Sequence, residues 1–112
     1  DIKTMPDKLA KLENENERLR MQNATLHYNL GVFHTQRQEY MQAIEEFQQC
    51  LKFNSADSSA HYNLGIIYSR YIIDEAKAVL HFKHYLSLSP QDKDAQRAKE
   101  YILLWGAKEN VK

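Results

Sequence analysis

His81 and His84 stand three residues apart, a spacing that puts two imidazoles on one side of a helix and could offer two ligands to a transition metal. A usable centre needs further ligands and groups that orient the imidazoles. No nearby Cys, Asp or Glu completes a recognisable set, so the expectation is an exposed helix face and no metal. His27 and His34, seven apart, also share a helical face. Cys50 is the only cysteine, which excludes an intramolecular disulfide and favours a small buried hydrophobe over a nucleophile. A glycine-rich phosphate loop, a Ser-His-Asp set and paired carboxylates in a known motif are all missing from the sequence. The chain is expected to be neither an enzyme nor a cofactor carrier.

Composition narrows the class further. The 112 residues carry 15 basic and 15 acidic side chains, leaving no net charge to attract nucleic acid or an acidic membrane. Residues 1–23 balance at five and five, so the basic region that a zipper-type DNA-binding protein needs is lacking. Three Gly, two Pro and 27% charged residues predict a soluble, almost wholly helical chain. No apolar run approaches the roughly 20 residues of a membrane span. The start at Asp1 rather than Met suggests an excised or processed protein, and the compartment stays open between cytoplasm and bacterial periplasm.

The elements that must position any site are announced by an internal repeat. His27-Tyr28-Asn29-Leu30-Gly31 returns 34 residues later as His61-Tyr62-Asn63-Leu64-Gly65, a period typical of stacked helical hairpins. The register continues through Tyr40, Ala43, Phe47 and Cys50 in the first copy, and through Ala78, Phe82, Tyr85 and Pro90 in the second. This pattern resembles the tetratricopeptide repeat over residues 24–92: an aromatic, Leu-Gly and Tyr in helix A, then Ala and Phe in helix B, then Pro. His27 and His61 stand where that family usually has Trp, and Ser55 where it has Pro. The resemblance implies that His27 and His34 are packed, partly buried residues with one hydrogen-bonded nitrogen.

Physical reasons support the positions independently. Gly31 and Gly65 allow close approach of the second helix of each hairpin, at a cost of about 1 kcal/mol against Ala in a helix. Ala43 and Ala78 are expected to face them, with Phe47 and Phe82 filling the space above. From Gly31 to Ala43 is 12 residues and from Gly65 to Ala78 is 13, which predicts a longer, apolar turn near Tyr71-Ile72-Ile73. Ala95, Ala98, Tyr101, Ile102 and Trp105 recur at helical spacing over 91–108, as a closing helix anchored by the single Trp requires.

Ahead of the repeats lies a second pattern. Leu12, Leu19 and Leu26 are seven apart, and three residues before each stand Leu9, Asn16 and Asn23. Leu at d with Asn at a favours a parallel two-stranded coiled coil. The flanks agree, since Lys8 would face Glu13 of a second copy and Glu15 would face Arg20, whereas an antiparallel pairing sets like charges together. With Pro6 and Asp7 suited to a first turn and no Pro up to residue 37, zipper and first helix A should form one helix of about 30 residues, roughly 45 Å long. A lone helical extension is the alternative, and a trimer the alternative assembly.

The expected fold is therefore all-α: a parallel coiled coil (1–23) continuous with two tetratricopeptide-like repeats (24–57 and 58–92) and a capping helix with its tail (93–112). The expected function is non-enzymatic, a homodimeric scaffold that presents grooves to a protein or peptide. By position in the family, the groove would be lined by Tyr28, Asn29, Val32 and Gln36, and by Tyr62, Asn63, Ile66 and Arg70. The resemblance implies that chaperone-tail capture is excluded, because the lysines that hold a C-terminal carboxylate are missing. The other classes weighed are a structural assembly protein using repeat self-packing, and a fragment of an enzyme. Coiled coil followed by repeats also resembles bacterial envelope proteins that coordinate division and wall synthesis, which are typically trimeric.

Overall fold

The computed structural model describes residues 4–110, with side chains as far as Gly106. Residues 1–3 of the expected coiled-coil segment and 111–112 of the tail lie outside the described residues. The chain forms five helices: α1 (Met5–Gln36), α2 (Tyr40–Phe53), α3 (Ser58–Arg70), α4 (Glu75–Leu88) and α5 (Ala95–Asn110). Each packs chiefly on its neighbours in sequence, which makes a solenoid. The N-terminal half of α1 projects from it, giving overall dimensions of 67 × 29 × 26 Å.

Local chemistry sets the helix ends. Pro6 and Asp7 occupy the first turn of α1, where a missing N–H costs nothing and a carboxylate meets the positive end of the dipole. The helix then runs unbroken for 32 residues into the first repeat. It stops because Gln38 takes a left-handed conformation, φ 61°, and the Arg37 N–H donates back to the carbonyls of Phe33 and His34. Asp57 caps α3 by accepting from Ala60 N at 3.1 Å, and Asp74 caps α4 by accepting from Lys77 N at 3.1 Å. The second turn, residues 71–74, is one residue longer than the first; Ile72 packs on the core while Tyr71 stacks on Tyr40 at 4.1 Å.

The glycines do what close approach requires, though against a different residue than expected. A Cβ on Gly31 would fall 2.6 Å from the Phe47 ring, and one on Gly65 would fall 2.6 Å from Phe82. The phenylalanine edges, not Ala43 and Ala78, are thus the atoms pressed onto the glycines. Ala43 and Ala78 are fully buried beside them. At the C-terminal end Tyr101 stacks face to face on Phe82 at 5.0 Å, and buried Trp105 meets Tyr101 edge-on. Ala98 and Trp105 thereby join α5 to the core, while Leu103 and Leu104 of α5 stay exposed.

Candidate functional site

Helix A of each repeat brings most of the expected groove residues together. Tyr28 lies half-buried with its ring edge on Phe47, and its hydroxyl accepts from the Asn63 side-chain amide at 3.3 Å, tying α1 to α3. Tyr62 sits between Phe82 and Tyr85. Its hydroxyl is buried with no partner in hydrogen-bond geometry among the described residues, and the Arg97 cation acts on it. Burial pushes the Tyr62 phenol upward and the Arg97 guanidinium opposes it. Tyr28, Tyr62 and Asn63 share a cavity of about 230 Å³ with Ser59, Tyr85, Asp92, Lys93 and Asp94. Val32, Gln36 and Asn63 line an adjoining cleft of about 100 Å³ with Thr35 and Phe47.

Asn63 is common to both depressions, so they form one trough across the two helices A. Asn29, Ile66 and Arg70 line neither. Asn29 is exposed beside the trough, Ile66 packs on the core, and Arg70 Nε donates to the Tyr101 hydroxyl at 3.1 Å. The sequence reading did not foresee the far wall, made by Tyr85 and the 92–94 loop. There the Tyr85 hydroxyl donates to Asp92 Oδ2 at 2.8 Å, which holds the Asp92 carboxyl below its ordinary range, aided by the Lys93 backbone N–H. The charged run after Pro90 was the available signal, and its position depends on how α5 folds back.

Residues 33–70, spanning the end of α1, all of α2 and all of α3, match the family profile described as TPR repeat. That segment is similar to the tetratricopeptide repeat, and the five-helix fold is consistent with such repeats. No curated protein matches the chain. The matched segment includes Gln36, Tyr62, Asn63, Ile66 and Arg70, whereas Tyr28, Asn29 and Val32 precede it.

His27, His34, His61 and His81 are packing residues, all at least partly buried. His27 Nδ1 bonds the Glu46 carboxylate at 2.6 Å and the ring stacks on Phe53; His34 Nδ1 bonds Glu39 at 3.2 Å. His61 is buried, with Nε2 facing the Ser55 carbonyl at 3.2 Å and Nδ1 facing His81 Nδ1 at 3.1 Å. His84 is exposed as expected, but His81 is not, because α4 turns it inward onto His61 and Tyr68. No group of three or more His, Cys, Asp or Glu among the described residues is arranged to hold a metal ion. Cys50 is fully buried, and burial pushes its thiol up to about 12 while Asp57 accepts from its sulfur at 3.3 Å. A thiol held protonated in this way is a poor nucleophile.

Of the residues expected to form a zipper, Leu9, Leu12, Asn16 and Leu19 lie in the projecting half of α1, and Asn23 and Leu26 lie beyond it. Leu9, Leu12, Leu19 and Leu26 are 57%, 62%, 45% and 54% exposed, and Asn16 and Asn23 are exposed with them. Glu15 is paired with Arg18 on its own helix, an i,i+3 contact within one chain. Both side chains are half-exposed, so that pair is worth little and can yield to another partner. No helix among the described residues is long and apolar enough to cross a membrane.

Proposed function

We propose that the protein is a non-enzymatic scaffold: a parallel coiled-coil dimer that presents two tetratricopeptide troughs to a peptide or protein. The observation that supports the binding half is the trough itself, where exposed Gln36, two tyrosines and the Asn63 amide line one surface, with exposed Asn29 next to Tyr28 in sequence. Amides offer a donor and an acceptor to an extended backbone, and tyrosines offer apolar area with a polar tip. The dimer half is supported by four leucines left in solvent at heptad positions on a helix that packs on nothing for most of its first five turns. Two troughs on one dimer raise avidity for a partner with repeated segments without any new contact.

Peptides selected from a displayed library on the full chain test the binding half. Titrated against the wild type and against Asn29→Ala and Asn63→Ala, they should lose affinity in both variants. Equal affinity for all three proteins would place binding elsewhere. The oligomer is tested by sedimentation of the full chain.

A second reading is favoured by Leu103 and Leu104, 73% and 59% exposed on α5. In a structural assembly protein these leucines would pack on further repeats, and Leu103→Glu with Leu104→Glu would abolish assembly. A Tyr62→Ala, Asn63→Ala pair would then leave assembly intact.

A further inference from the structure

The apolar seam of α1 does not end where the zipper meets the repeats. Met5, Leu12, Leu19, Leu26 and Phe33 follow one another at intervals of seven, and every one is exposed, Met5 by 62% and Phe33 by 49%. Phe33 lies inside helix A of the first repeat, one residue from His34 and two from the Gly31 that Phe47 covers. At about 100° per residue, Leu26 lies about 140° and Phe33 about 160° around the helix from Gly31. The seam thus points almost directly away from α2, and a second helix can lie along it without meeting the hairpin.

We infer that the second copy of this chain covers α1 along its whole length to Phe33, so that the first repeat is itself part of the dimer interface. This rests on the dimer proposed above and fixes what that dimer can hold. Lys8 with Glu13 and Glu15 with Arg20 set the two chains parallel and in register at the N-terminal end. A strict interval of seven imposes a left-handed supercoil, because a straight helix drifts about 20° per heptad. Arg37, whose guanidinium sits 5.4 Å over the Phe33 ring, closes the end of the seam.

The consequence concerns the troughs. Asn29 follows Leu26 by three residues and Gln36 follows Phe33 by three, so each lies about 60° from the seam, on the same flank. A two-fold axis along the seam carries that flank to the opposite side on the second copy. The two troughs therefore open on opposite sides of the dimer. One short peptide cannot occupy both, and the dimer bridges two separate partner segments.

Disulfide trapping of the full chain tests this, with Cys50 left in place because it is buried. Leu12→Cys, Phe33→Cys and Gln36→Cys are each oxidised and the covalent dimer quantified. Cross-linking requires Cα atoms within about 7 Å. Leu12→Cys and Phe33→Cys should both form dimer and Gln36→Cys should not. In addition, Phe33→Asp should weaken self-association by roughly tenfold or more with helix content unchanged. Trapping at Leu12 without trapping at Phe33 would end the seam before the repeats and overturn this inference while leaving the proposed dimer standing. Trapping at Gln36 as readily as at Phe33 would overturn the opposed troughs. No trapping at either seam position would overturn the parallel dimer and this inference with it.

Discussion

His61 and His81 share one proton position: their Nδ1 atoms lie 3.1 Å apart at the interface of α3 and α4. The Ser55 carbonyl can only accept, so His61 Nε2 must carry a proton toward it at 3.2 Å. In the neutral ring His61 Nδ1 is then an acceptor, and His81 Nδ1 donates to it. A proton added to His61 would set N–H against N–H.

That arrangement predicts acid sensitivity. Burial lowers the His61 pKa, with the Ser55 carbonyl opposing and His84 assisting. Burial, then His61, His84 and Lys77, lowers that of His81 to about 4 from an ordinary 6.5. Tyr68 covers the His81 ring and Asp57 is the facing carboxylate on His61. Between about 6.5 and about 4 the unfolded chain binds more protons than the folded one, so stability falls as pH falls through that window. Urea unfolding at pH 7.5 and pH 5, run on the wild type and on His81→Leu, should show a loss at pH 5 that is smaller in the variant. An equal loss in both would remove this pair as its source.

Gln38 occupies a left-handed conformation, φ 61°, that a Cβ disfavours by about 1–2 kcal/mol. Gln38→Gly should therefore stabilise the first hairpin by about 0.5–1 kcal/mol, after the entropy that glycine adds to the unfolded chain. Thermal unfolding at neutral pH would show the midpoint rising by a few degrees.

Gly65→Ala should have the opposite effect. Its Cβ would sit 2.6–2.9 Å from three atoms of the Phe82 ring, which is fully buried between Tyr62 and Tyr101 and cannot move aside. Overpacking of that kind costs about 1–3 kcal/mol, more than the helix propensity alanine returns. Chemical denaturation should show a lower midpoint with the same slope.

Asp57 serves two groups at once, the Ala60 N–H at the start of α3 and the Cys50 thiol in the core. Asp57→Ala should cost about 1–2 kcal/mol, the usual loss for an N-cap. Asp57→Asn, which still accepts from the backbone, should recover most of it.

The repeated His-Tyr-Asn-Leu-Gly string carried most of the fold, because a period of 34 with small and aromatic residues in fixed order leaves few ways to bury both copies. The absence of Pro between Pro6 and residue 37 likewise anticipated one helix running into the first repeat. Two things needed coordinates. His81 and His84 are neighbours on one helix, yet His84 is exposed and His81 is partly buried against His61, because spacing defines a face without saying where α3 lies against it. The trough wall at Tyr85 and Asp92 depends on α5 folding back through Tyr101 and Trp105, a long-range event that local pattern does not encode. Phe33 is obscured for a different reason: the heptad and the repeat overlap on one helix, so its place in one pattern masks its place in the other.

Sedimentation equilibrium of the full chain over a wide concentration range, beside a Leu12→Asp, Leu19→Asp variant, decides whether α1 pairs two copies of the chain. The account predicts a species of twice the 13.2 kDa chain mass for the wild type and a helical monomer for the variant. A wild-type chain that stays monomeric at every concentration would contradict it.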